Sequence, residues 1–65
     1  MQIRLNGEAR EVSAASLSAL IAELDLSGKR IAVELNGEIA PRSQYDRTAL
    51  KAGDHVEIVH AIGGG

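Results

Sequence analysis

SLSALIAELDLSG, residues 16–28, is the stretch of this 65-residue chain that carries a helical period. Leu17, Leu20, Ile21 and Leu24 fall at i, i+3, i+4 and i+7, so a helix would gather four aliphatic side chains on one stripe. Ser16 suits the N-cap, because its hydroxyl can accept from a free N–H of the first turn, and Gly28 suits the stop. Everything around this segment reads as strand. Upstream, MQIRLNGEAREV alternates Ile3 and Leu5 with Gln2 and Arg4, then turns at Asn6-Gly7, and Val12 belongs to the returning strand. Downstream, RIAVELNGEI alternates Ile31, Val33 and Leu35 with Ala32, Glu34 and Asn36 and reaches a second Asn-Gly pair at Asn36-Gly37.

Residues 40–54, APRSQYDRTALKAGD, hold the only proline and no sustained period. They read as a loop with a short edge strand, anchored by Tyr45 and Leu50. Gly53-Asp54 turns the chain into HVEIVHAI, where Val56 and Ile58 face one way and Glu57 and Val59 the other. The order is strand, strand, helix, strand, edge segment, strand. One apolar face per strand and one stripe on the helix predict an α+β fold, a mixed sheet of four to five strands with one main helix packed on one face. This is the β-grasp, or ubiquitin-like, arrangement. The helix would be the crossover that makes the first and last strands parallel neighbours. The open face would carry Gln2, Arg4, Glu34, Glu57 and Val59, with Arg4 able to pair with an acidic neighbour across strands.

Composition narrows the function. Cysteine is absent, which excludes a disulfide framework, a thiolate metal site and a thiol nucleophile. Seven Lys+Arg against nine Asp+Glu give a formal charge of −2, not the basic excess of a nucleic-acid binder or membrane-surface helix. No apolar run is long enough for a signal peptide or membrane span, so a cytoplasmic protein is expected. His55 and His60 are separated by an odd number of residues on a strand, which sends them to opposite faces. A solvated His55 and a partly packed His60 are the expectation, and no metal site. Ser13, Ser16 and Ser18 cluster where helix capping accounts for them, and neither Asn-Gly pair has the spacing of a phosphate loop.

The chain closes on Gly63, Gly64 and Gly65. We divide it into a domain of residues 1–62 and a flexible tail of residues 63–65. Without Cβ atoms a glycine run is thin enough for a narrow channel, and its tip presents an α-carboxylate. That group is a poor electrophile until ATP makes it an acyl-adenylate, after which a sulfur or nitrogen nucleophile can attack. Such an arm on a small rigid domain suits a carrier of an activated acyl group.

Together, RLNGE, LSALIAELDL, VELNGEIAPRS and above all GDHVEIVHAIGGG resemble the ThiS family of sulfur carriers of thiamine biosynthesis, over essentially the whole chain. The resemblance implies a carrier, not an enzyme, whose Gly65 carboxylate is adenylated by a ThiF-like adenylyltransferase and converted to a thiocarboxylate. The thiocarboxylate would then give its sulfur to a ThiG-like thiazole synthase. Gly64 and Gly63 would complete the arm. The domain itself would bind no cofactor, ATP being used by the activating partner, and the free protein would be a monomer. Val59 and Ile62, aliphatic and next to the arm, are candidates for the docking patch, although Ile62 could equally close the core. The rival readings are a molybdopterin-synthase small-subunit-like carrier, a ubiquitin-like modifier, and a TGS-like binding module.

Overall fold

The computed structural model describes residues 1–60. Within them the chain runs β1 (Gln2–Leu5), β2 (Glu8–Glu11), α1 (Leu17–Glu23), β3 (Ile31–Leu35), β4 (Glu38–Ala40), a 3₁₀ helix (Arg42–Arg47) and β5 (His55–His60). One five-stranded mixed sheet has the order β2-β1-β5-β3-β4. The last strand is therefore central, parallel to β1 and antiparallel to β3. Both hairpins turn as their Asn-Gly pairs predict: Asn6 and Gly7 have φ of 50° and 85°, Asn36 and Gly37 φ of 53° and 86°. Two consecutive positive φ values match the twist of flanking strands, and Asn and Gly tolerate them best.

The inward residues of the sheet meet the stripe of α1. Ile3, Leu17, Leu20, Val33 and Val56 are each at most 1% exposed and form the centre of the core. Helix α1 begins as expected: the Ser16 hydroxyl accepts from the Ala19 N–H at 3.2 Å. Its end differs from the sequence reading. Leu24 caps it and Asp25, at φ 61°, takes the left-handed position assigned to glycine. The Asp25 N–H donates to Ala22 O at 3.0 Å and the Leu26 N–H to Ile21 O at 2.9 Å. These are the two bonds of a Schellman closure, with Leu26 folding back onto the core. Aspartate accepts this conformation where most residues would not. Gly28 serves a later turn, at φ 78°.

Three further expectations need correcting. Val12 is buried but lies just past β2, where it exchanges two bonds with Met1 ahead of β1: its N–H donates to Met1 O at 2.8 Å and its O accepts from the Met1 ammonium at 2.9 Å. The edge strand is β4, which precedes Pro41, and the aperiodic segment after that proline contains a 3₁₀ helix. Such a helix gives little periodic signal because it is short and buries no residue fully; only Tyr45 packs partly against the core. Arg4 does not pair with a carboxylate across the strands. Its guanidinium donates to Gly7 O at 3.0 Å, inside its own hairpin. Leu50 is buried as expected, drawn in where Leu50 N–H bonds Ala15 O and Leu17 N–H bonds Thr48 O ahead of the helix.

Candidate functional site

The sheet face opposite α1 is uncovered, and its side chains follow from strand alternation. Gln2 and Arg4 of β1, Ala32 and Glu34 of β3, Ile39 of β4, and His55, Glu57 and Val59 of β5 all point there. All five open-face residues anticipated from the sequence are on it. Cross-strand register sets Ala32 opposite Val59, Glu34 opposite Glu57, and Glu34 opposite Ile39. Val59 is 60% exposed and Ile39 74% exposed, and with Ala32, Glu34 and Glu57 they line one hollow on this face.

Two features of this patch are unfavourable for an isolated sheet. Aliphatic side chains face water, and two carboxylates stand directly opposite each other on neighbouring strands. A partner that covers the aliphatic side chains and brings a cation to Glu34 and Glu57 relieves both. Ile39 escaped the sequence reading because the strand around it is only three residues long. Its signal was the turn at Asn36-Gly37: a two-residue hairpin puts residue 39 opposite residue 34, hence on the open face.

Of the anticipated site residues, Val59 alone lies in the described part of the chain. Ile62, Gly63, Gly64 and Gly65, and with them the expected boundary between domain and tail, lie outside the described residues. What the structure does place is the strand from which that segment departs. That strand, β5, is the central one of the five. His55 and His60 fall on opposite faces, as their spacing requires, but His60 is exposed and not partly packed. The buried run of β5 stops at Ile58, so His60 extends past the core. Among the described residues no three His, Cys, Asp or Glu side chains come together to hold a metal ion, and no helix is long and apolar enough to cross a membrane.

Comparison with known proteins adds four findings. Residues 3–65 match the model of the ThiS family. The fold is similar to the crystal structure of the thiamine biosynthesis protein (ThiS) from Geobacter metallireducens, with a TM-score of 0.85 and 35% identity over the whole of both chains. The sequence is 38% identical to the sulfur carrier protein ThiS of Bacillus subtilis, over 77% of this chain and 76% of that one. It is also 46% identical over its full length to part of a thiazole synthase of Paramagnetospirillum magneticum. The chain spans about a fifth of the length of that synthase and of its counterpart in Magnetococcus marinus.

Proposed function

The chain belongs to the ThiS family, and from that premise we propose that it is a sulfur carrier for thiamine biosynthesis whose working group is the carboxylate of Gly65. A ThiF-like adenylyltransferase binds ATP and transfers AMP to this carboxylate, releasing pyrophosphate. A sulfur nucleophile attacks the acyl carbon and AMP leaves, so one oxygen of the terminus is replaced by sulfur. The thiocarboxylate then gives its sulfur to a thiazole synthase. The domain is the handle, and the chemistry is carried out by its partners. The reading has the free carrier monomeric and cytoplasmic, where ATP is at hand.

The observation that carries this reading is the family match, which runs without interruption from β1 through the glycine end. The thiazole synthases that contain a segment similar to the whole of this chain support such a synthase as the sulfur acceptor. The test is the intact mass of the protein after incubation with ATP, a sulfide source and a ThiF-like adenylyltransferase. A gain equal to replacement of one oxygen by sulfur is expected. No gain, from a partner active on another carrier, would remove the reading.

Docking on the open face follows from its exposed aliphatic side chains, Val59 of β5 and Ile39 of β4, which line one hollow. Replacing both in one variant, Val59→Glu with Ile39→Glu, adds two carboxylates to a face that already opposes Glu34 and Glu57. Its dissociation constant for the adenylyltransferase should rise by about tenfold or more, because few residues dominate an interface and burying an unpaired charge is unfavourable. Both positions are exposed, so no core contact is lost, and the added like-charge contacts, residue 39 standing opposite Glu34, should lower the melting temperature by about 5 °C or less. Calorimetric titration decides it: unaltered affinity would place docking elsewhere.

A further inference from the structure

β5 outlasts its parallel neighbour. β1 ends at Leu5, registered with Val56, while β5 continues to His60. On the β3 edge the pairing persists to the last residue, with Ala32 opposite Val59 and Ile31 opposite His60. On the β1 edge the next peptide groups in line, the N–H and C=O of Ile58, have no strand to meet. The side chain of Asn6 takes the place of one. Its Oδ1 accepts from the Ile58 N–H at 2.8 Å and its Nδ2 donates to Ile58 O at 3.2 Å, while the Asn6 N–H itself bonds Val56 O at 2.9 Å. A carboxamide offers one acceptor and one donor, as a backbone peptide does, so Asn6 extends the ladder by one step after its strand has turned away.

The second Asn-Gly turn does the same at the other end and the other edge of β5. The Asn36 N–H bonds His55 O at 2.7 Å, its Oδ1 accepts from the His55 N–H at 2.9 Å, and its Nδ2 donates to Asp54 Oδ1 at 3.1 Å. Asn36 thus secures the entry to β5 and Asn6 its exit.

Resting on the sulfur-carrier reading, we propose that Asn6 is a positioning residue for the reactive carboxylate: its carboxamide holds the end of β5, up to His60, in register and so fixes the base from which that group is presented. It touches no reacting atom and acts through the backbone of Ile58. An arm that must bring its carboxylate to a nucleotide in a partner's site reacts faster the fewer directions its base can take.

The informative variant is Asn6→Gly, because glycine accepts the positive φ of this turn and only the carboxamide is removed. Asn36→Gly makes the same change at the entry end and is the control, and Asn6→Asp keeps the acceptor for Ile58 N–H while losing the donor. Hydrogen exchange read by NMR should show the Ile58 amide of Asn6→Gly exchanging about tenfold faster or more, relative to core amides, as a local opening would give. Asn6→Asp should exchange at an intermediate rate and Asn36→Gly like the parent at this amide. In adenylation by the partner, kcat for Asn6→Gly should fall by about tenfold with KM within a factor of two, since geometry and not docking is lost.

Unchanged Ile58 exchange in Asn6→Gly, or in Asn6→Asp if the glycine variant does not fold, overturns the proposal. So does an equal fall of kcat in Asn36→Gly, which would mean that any loss of stability suffices. So does a rise of KM alone, which would make Asn6 a docking residue. If the parent chain is not adenylated at all, the sulfur-carrier reading fails, while the exchange comparison still decides whether Asn6 holds the exit of β5.

Discussion

A chain that ends at Gly65 is expected to take up one sulfur in the adenylation assay, and the same chain with a single alanine appended is expected to take up none. The appended residue moves the carboxylate by about 3.5 Å along an extended chain and introduces a Cβ where every preceding tail residue lacks one. Acyl transfer depends on the placement of the carboxylate against the α-phosphate of ATP, and displacements of this size cost about a hundredfold or more in rate. Among the described residues the buried core runs from Ile3 to Ile58. The extended chain should therefore fold and melt like the parent, and should still bind the adenylyltransferase. Intact mass, with binding measured alongside, checks each part. Equal sulfur uptake by both chains would show that the terminal carboxylate is not the reacting group, and would move attention to the open face as a plain binding surface.

The second large effect is on folding. Leu20 is 0% exposed and belongs to the stripe by which α1 closes over the sheet. Leu20→Ala removes most of that side chain and leaves a cavity, which typically costs about 3 kcal/mol or more. A domain of this size has a total stability of about 3–10 kcal/mol. The melting temperature should consequently drop by about 15 °C or more. Ile39→Ala removes an aliphatic group of similar size from a site that is 74% exposed, and should change stability by about 0.5 kcal/mol or less. Calorimetry on the two variants separates the residues that hold the fold from those that stand ready for a partner. A Leu20→Ala protein that melts within about 3 °C of the parent would contradict the seating of α1 on the sheet.

The architecture was legible because its signals are local and repeated. Alternation in β1, β3 and β5 told each side chain's face, and Val59 on the open face needed nothing more. The two Asn-Gly pairs announced their turns, and Ser16 announced the helix start. Where the reading went astray, the competing interaction was short or non-periodic. Asp25 ended α1 before Gly28 could, because a Schellman closure already satisfied the last carbonyls. The 3₁₀ helix had no buried stripe to betray it. Arg4 found a carbonyl within its hairpin sooner than a carboxylate across it.

By itself the sequence determined which residues turn inward, where the hairpins bend, and the family to which the chain belongs. The first two depend on period two, period 3.6 and turn chemistry, each contained in a window of a few residues, and the family rests on a likeness that spans residues 3–65. Only the tertiary structure decided that Ile39 joins Val59 in one exposed patch with Glu34 and Glu57 between them, and that both turn asparagines bind the last strand. Asn6 and Ile58 are 52 residues apart. No local pattern encodes a carboxamide standing in for a missing strand, because the need for it arises only when β1 stops short beside β5.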